Sequence, residues 1–576
     1  MSKTKRIVIR ILLGFVLVVA VGIVSLELLA TRFDYKQDAS HSLLFSNIEK
    51  AIIIVPHQDD EIFTAGGLIT QLNAKGIDTE VVFFTNGNAN DNIGWIRQKE
   101  AIRSCEKLGC KEDKVTCLQF PNRQQSDTTD ISGVSDVALR DSMKNSLANV
   151  IISKKTDLIV CTDFDFNRDH RTLSILFDET LGELLNKEMI GKPIVIKGFS
   201  YQTSYNAPKD YYAINIKSMK KPEDPQNKDY ETDVPAYLWN NRLRVPLSPK
   251  SITHSAFHNN IYKAIKENKT QSVINKAYSA INGDNVFWYK RTDNLLYNSH
   301  ISVTSGNPDY LRDFKLYDTR NVTITNKYNV KFEDFLWQPD SADKNPQISF
   351  TFDEPVIASS VCIYDDPSFK NQITDASIII NDSMMLNTGC LKNEGCASVI
   401  AFGHDLRIRN LKICDFKYKG ELLGISEIEL LHDMNSQKDI YVFKIMEDRT
   451  KDFVYRYYID NDAEELSLSI YANHQFNAKW DIIQKDGDVS IHNGKLSFGK
   501  NFEKCSVKVQ DTLHTDLYDI VEIERLNGID SFLYTLLSHY DKMKLGIVNA
   551  FYSNRLVHSI CKHTIFKAIK RHIFGE

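Results

Sequence analysis

The sequence predicts an α/β domain built on a mostly parallel sheet, followed by two β-sandwich domains and a helical tail, with a long apolar helix at the N-terminus. Three observations carry this. Ala51–Val55 (AIIIV) is a short apolar run that stops at Pro56, as a strand buried on both faces does, and Glu80–Thr85 and Leu158–Thr162 repeat the type. Helical stretches alternate with these runs, roughly at Glu61–Asn73, Ile96–Leu108 and Ser135–Ser153, which is the pattern of βαβ units. After residue 300 the texture changes to alternating strand patterns and turn residues without a long helix between them.

The bulk properties agree with several packed domains. A chain of 576 residues exceeds one ordinary core. Apolar residues make up 42% and charged residues 25%, which excludes disorder, collagen-like repeats and a polytopic membrane protein. Lys and Arg number 70 against 75 Asp and Glu, so the net charge of −5 carries no nucleic-acid signal. The 10 cysteines include no CxxC pair, which leaves a zinc-finger or thioredoxin-like site without a basis.

In chain order, the first element is the uncharged run Ile11–Leu26, extended by Ile7–Ile9 beyond Arg10. With Arg10 snorkelling, Ile7–Leu26 supplies the roughly 20 residues that span a bilayer, so residues 7–30 are expected to be a transmembrane anchor. A cleavable signal peptide is the alternative. Lys3, Lys5, Arg6 and Arg10 precede the run and only Arg32 and Lys36 follow it. That asymmetry predicts a single-pass protein with its bulk on the extracytoplasmic (periplasmic or extracellular) side. There disulfides become possible, and Cys390 with Cys396 is the best local candidate.

Residues 31–49 read as a polar tether, and the α/β domain is expected over 48–298. Strand patterns at Ile348–Phe352, Ser360–Tyr364, Ala376–Ile380 and Leu406–Cys414 predict one sandwich over 300–432. Leu466–Tyr471 and Tyr518–Glu524 predict a second, immunoglobulin-like, over 438–527. Residues 528–576 turn helical and basic, with no acidic residue from Lys542 to Gly575. That tail suits a helix docked on a neighbouring domain, or one that binds a membrane surface or partner.

The chemistry gathers where two strands end. Pro56-His57-Gln58-Asp59-Asp60-Glu61 follows the first strand, and Asp163-Phe164-Asp165-Phe166-Asn167-Arg168-Asp169-His170 follows Leu158–Thr162. Loops after the C-termini of parallel strands collect along one sheet edge, so His57, Asp59, Asp60 and His170 can meet. Two imidazoles and a carboxylate are a common three-ligand set for Zn2+ with one position left open. A further carboxylate beside that position can act as general base.

PHQDDE followed by Gly66-Gly67, Thr85-Asn86-Gly87, Arg97-x-x-Glu100, Leu108-Gly109 and Asp169-His170-Arg171 resembles the PIG-L/LmbE-like family of zinc-dependent N-acetylglucosaminyl deacetylases. The resemblance covers roughly residues 48–298. It implies a Rossmann-like fold and hydrolysis of an N-acetyl group on an amino sugar. It also implies that His57, Asp60 and His170 bind the metal, that Asp59 is the base, and that Arg97 helps bind substrate. Two positions depart from the family's pattern. Gln58 replaces a loop proline and is expected to loosen the loop, and Asn167 stands where a histidine often steadies the oxyanion. An Asn amide can donate that hydrogen bond but carries no proton. Residues 300–432 resemble a discoidin-type (F5/8 type C, galactose-binding-like) sandwich through Trp337, NPQISFTFDEPV and Gly424–Leu430.

The expected activity is a membrane-anchored, zinc-dependent deacetylase acting on an N-acetylhexosamine in a glycan, glycolipid or polysaccharide, with no nucleic-acid partner. A glycan-binding membrane protein that has lost catalysis is one alternative, and the intact ligand set speaks against it. A metallo-phosphohydrolase is the other. It needs a second metal cluster, and no further His/Asp group stands at a matching strand end.

Overall fold

The computed structural model describes residues 3–34, 40–88, 92–122, 134, 136–163, 167–198, 200, 242–253, 255, 258–271, 284–315, 336–366, 371–392, 397–434, 439–449, 451–537 and 539. It opens on helix α1 (Lys3–Ala30), where the apolar run predicts one. The expected span does not follow: among the described residues no helix is long and apolar enough to cross a membrane, and the side chains of 3–13, 15, 16 and 19 lie outside that set. Leu17, Val18, Val21, Val24 and Leu28 are exposed along α1, while its C-terminal end is docked. Ala30 and Phe33 pack against Leu526 and Leu537, and Arg32 pairs with Asp530 at 2.9 Å.

The polar tether is corrected in part. Within it β1 (Leu43–Phe45) pairs antiparallel with a strand near residue 440 in the last β domain. The α/β domain then runs β2 (Lys50–Val55), α2 (Asp60–Ala74), β3 (Asp78–Thr85), α3 (Gly94–Lys107), β4 (Val115–Phe120), α4 (Val137–Lys154), β5 (Leu158–Thr162), α5 (Arg168–Asn186), β6 (Ile194–Gly198), β7 (Leu243–Val245), α6 (Asn260–Glu267) and β8 (Asn285–Lys290). The sheet order is β4-β3-β2-β5-β6-β8-β7. Pairing is parallel from β4 to β6 and antiparallel at β8 and β7. β2 and β5 are adjacent and central, so the loops that follow them share one edge. Ile53, Val55, Val81 and Phe83 face one core under α2, and Ile52, Ile54, Val82 and Phe84 face another under α4 and α5. Burial on both faces is why these strands lack polar alternation. At Gly67 a Cβ would come within 2.1 Å of the Leu247 side chain, so the glycine lets α2 close onto the sheet.

The next domain is one antiparallel sheet of β9 (His300–Val303), β10 (Ile348–Asp365), β11 (Gln372–Ile380), β12 (Met384–Asn387), β13 (Ser398–Lys419) and β14 (Ile425–Leu431). Two strands expected at 348–352 and 360–364 are the two halves of β10, which passes through register shifts between Thr351 and Val356 and between Ala358 and Ser360. β9 pairs with the first half and β14 with the second, around a core that holds the fully buried Trp337. Asn294 ties this domain to the first, donating to Ile428 O at 2.9 Å and accepting from Leu430 N at 2.9 Å.

The last described β domain has β15 (Ile440–Glu447), β16 (Arg456–Ile459), β17 (Glu465–Ala472), β18 (Ala478–Asp486), β19 (Val489–His492), β20 (Lys495–Phe498), β21 (Lys504–Asp511) and β22 (Tyr518–Arg525). One sheet runs β1-β15-β17-β20-β19 and the other β16-β22-β21-β18, around a shared core that includes Phe443, Leu468, Val507 and Val521. Ile440 and Val442 also join the core of the first domain. Residues 528–537 are helical, as the tail predicts. The basic stretch beyond and Cys396 of the proposed disulfide lie outside the described residues, while Cys390 is an exposed free thiol.

Candidate active site

β2 ends at Val55, and the chain turns at once into α2. Asp59 caps that helix by position without a side-chain cap bond, and Asp60 and Glu61 stand in its first turn, where carboxylates suit the helix dipole. Asp60 Oδ2 accepts from His57 N at 3.0 Å and lies 3.0 Å from His57 Nδ1. From the other loop, His170 Nε2 reaches 3.1 Å from the same oxygen. All three groups are buried, and their ligand atoms lie within 4.8 Å of one another. Two imidazole nitrogens and one carboxylate oxygen so arranged are a donor set that fits Zn2+.

Charge in this cluster is steeply coupled to burial. Burial alone would lower the His57 pKa, but the hydrogen bonds to Asp169 and Asp60 and their charges outweigh it and hold the ring up at about 9. Burial works to raise Asp60, yet the facing His170 and His57 keep it well below the usual carboxylate range. Glu61 goes the other way. Burial first, with Asp59 and Asp60 nearby, pushes it up to about 8 despite a 2.7 Å hydrogen bond from Ser104 Oγ.

Arg97 and Asp59 come together as well. Arg97 Nη2 stands 3.9 Å from Asp59 Oδ1, and Arg97 Nη1 donates to Gly87 O at 3.2 Å. Gly87 has φ +76°, and a Cβ there would approach Gln58 Oε1 to 2.4 Å, so a side chain at 87 would disturb both loops. Gln271, outside any motif in the sequence, accepts from Arg97 and donates to Gln58 O.

Gln58 does not loosen its loop. Its side chain is fully buried and donates to Thr85 O at 2.8 Å, while Thr85 Oγ1 donates back to Pro56 O at 2.9 Å. The amide replaces the rigidity of a proline ring with a cross-link to β3. Asn167 has a structural duty beside its expected one. Its Oδ1 accepts from Asp169 N at 2.9 Å and caps α5, which sets Asp169 and His170 in the first turn. Residues 164–166 of this loop lie outside the described set.

Sequence reasoning missed one side chain of evident weight. Asp169 Oδ2 lies 2.9 Å from His57 Nε2, so the ring has a carboxylate on each side and presents Nδ1 to the cluster. The only signal was its place beside His170. Also unforeseen is Lys197, fully buried between Asp178 at 2.7 Å and Asp163 at 3.3 Å, which anchors the start of the second loop from β6.

Residues 52–181 match the family model described as GlcNAc-PI de-N-acetylase (PIG-L). Over these residues the α/β fold is of the PIG-L type. Diacetylchitobiose deacetylase of Thermococcus kodakarensis is 22% identical over 230 residues, covering 37% of this chain and 78% of that one. A probable N-acetylglucosaminyl-phosphatidylinositol de-N-acetylase of Dictyostelium discoideum is 27% identical over 115 residues, covering 20% of this chain and 42% of that one. The chain thus spans less than half of the second relative. Among solved structures, an N,N'-diacetylchitobiose deacetylase from Pyrococcus horikoshii matches with a TM-score of 0.22 at 18% identity, covering 28% of this chain and 63% of that one. Outside the PIG-L match, residues 330–431 match a domain of unknown function, DUF7402.

Proposed function

We propose that the PIG-L domain is a zinc-dependent hydrolase that removes the N-acetyl group from an N-acetylhexosamine in a glycan or glycolipid. The observation that carries this is the convergence of His57, Asp60 and His170 at adjacent strand ends, with Asp59 beside them. The names of the matched relatives, both deacetylases, support the reaction class. A zinc ion held by those three residues would supply Lewis acidity toward the amide carbonyl and the attacking water. Asp59 takes the water's proton and returns it to the departing amine, leaving acetate and a free amino sugar. Arg97, held by Gly87 and Gln271, orients the sugar and stands beside Asp59. The Asn167 amide nitrogen donates to the oxyanion that develops on the carbonyl. Asp169 keeps the His57 ring turned so that Nδ1 faces the ligand cluster.

The discoidin-like likeness of 300–432 belongs to this reading as a glycan-facing or bracing role, supported by the shared Asn294 contacts. The extracytoplasmic placement belongs to it too, supported by the charge flanking α1 and its exposed apolar side chains. Protease added to spheroplasts should then digest the region after residue 40. The activity itself is tested by acetate release from a panel of N-acetylated sugars, glycolipids and polysaccharides, with and without a chelator. Release that a chelator abolishes and zinc restores is the expected result, and release indifferent to the chelator sinks the metal assignment.

A further inference from the structure

A second group of the same composition stands in the last β domain, on residues that no sequence motif marks. Asp511 is the last residue of β21, His514 lies in the turn to β22, and His474 follows β17. β17 belongs to one sheet and β21 to the other, so the three side chains meet across the end of the sandwich. Asp511 Oδ2 is 3.0 Å from His474 Nε2 and 2.9 Å from His514 Nδ1. The three ligand atoms lie within 4.8 Å of one another.

The carboxylate is built into position. Asp511 is fully buried, and its Oδ1 accepts from Asn477 N and Leu513 N, both at 3.0 Å. Those two donors leave Oδ2 aimed at the imidazoles, and with the histidines they hold the carboxyl ionised against its burial. His474 is nearly buried in its side chain at 5%, and its Nδ1 faces Asn473 Oδ1 at 3.4 Å. Asn473 is itself fixed on β15, accepting from Val442 N at 2.9 Å and donating to Ile440 O at 2.6 Å. Tyr441 packs on both rings, at 5.4 Å from His474 and 5.5 Å from His514. His514 keeps 40% of its side chain exposed, which leaves one side of the group open to solvent.

We propose that His474, Asp511 and His514 form a second binding site for a divalent transition cation, of zinc-like preference, that clips the two sheets of this sandwich together. A hydrogen-bonded His-Asp-His trio without a cation is the bland alternative. The donor types decide against Ca2+ and Mg2+, which take oxygen ligands, and favour a cation that accepts imidazole. Bonds of about 2.1 Å in a tetrahedral site put ligand atoms about 3.4 Å apart. The two Asp–His separations need only widen by about half an ångström to reach that. The exposed side supplies the fourth position to water.

The test uses the full-length protein, stripped with chelator, reloaded with Zn2+ and freed of excess, with metal per chain measured by mass spectrometry. Two equivalents are expected in the wild type, and one in His514→Ala, in His474→Ala and in the double variant His57→Ala/His170→Ala. In that double variant Co2+ should give visible ligand-field absorption, and adding His514→Gln should remove it. His514→Gln is the milder change and guards against misfolding, which circular dichroism checks. The proposal is overturned if folded His514→Gln and His514→Ala proteins bind as much Zn2+ as the wild type, or if the double variant binds none. Because the two sites are deleted separately, failure of the deacetylase reading would leave this result intact.

Discussion

The chain holds two His-Asp-His groups of the same donor set, and their surroundings differ. In the PIG-L domain all three side chains are buried, and a second carboxylate, Asp59, follows His57 in the same loop with Arg97 at 3.9 Å. In the last sandwich the group is half open, and its neighbours are backbone N–H groups, an Asn amide and a tyrosine ring. Three ligands therefore do not make a catalyst. On the proposed reading catalysis also needs a base and a cation for the substrate, and among the described residues only the first group has a carboxylate–arginine pair at its side.

The largest effect that separates the two sites is loss of a ligand. His57→Ala or His170→Ala should lower acetate release by at least about 10³-fold, since Lewis-acid stabilisation is worth several kcal/mol. His514→Ala should leave the rate within about twofold, because the pair Asp59 and Arg97 stands at the other group. Parallel loss of activity in His514→Ala, with the fold intact, would erase the distinction. Next comes Asp59→Asn, which is nearly isosteric and cannot take the water's proton. Turnover should fall by about 10²–10⁴-fold while zinc content per chain stays at the wild-type value. A zinc-depleted Asp59→Asn protein would make Asp59 a ligand instead of the base.

The contrast also explains what could be read from the sequence. β5 begins and ends where the apolar run Leu158–Thr162 does, because a strand buried on both faces has no polar residues to blur its ends. The first site was legible for a related reason: a parallel sheet sends both loops to one edge, so adjacency in space follows from topology. The second site had no such rule. His474 and Asp511 meet because two antiparallel sheets face each other, and no local spacing encodes which strand ends coincide. β4 is not legible in the sequence because it is a half-exposed edge strand without an apolar run. β10 looked like two strands because Asp353-Glu354-Pro355 resembles a turn, whereas the ladder absorbs it as a bulge. β1 is three residues whose partner lies far along the chain. The loop at Gln58 is firmer than a missing proline predicts, because local sequence does not show the Thr85 carbonyl that its amide finds.

A smaller effect separates the two duties of Asn167. Serine caps helices about as well as asparagine, so Asn167→Ser should keep the start of α5 and the melting temperature. It removes the amide nitrogen, and loss of one oxyanion donor is worth about 10²–10³ in rate. Reduced turnover with unchanged zinc content and melting temperature assigns Asn167 to the reaction. Unchanged turnover would leave it a cap and nothing more.

The smallest effect concerns what turns the rings. At the first site Asp169 meets His57 Nε2 at 2.9 Å, and at the second Asn473 meets His474 Nδ1 at 3.4 Å. A carboxylate at short range should orient and enrich its imidazole more than an amide at long range. Asp169→Asn should therefore weaken zinc binding at the first site by about 10–100-fold, and Asn473→Ser should change the second site less. A pH series on chelator-treated protein sharpens the point. His57 is held up at about 9, above its ordinary 6.5, so its stabilising contribution is complete below pH 6.5 and is lost as pH rises through 9. After burial, the Asp169 hydrogen bond is the strongest influence on His57, and it acts upward. Asp169→Asn should thus flatten the fall in urea midpoint between pH 6 and pH 9.5. Zinc affinity measured by competition with a chromogenic chelator gives the second readout on the same proteins. If Asp169→Asn keeps both the wild-type affinity and the wild-type pH slope, Asp169 does not position His57, and the two sites differ only in burial and in the base.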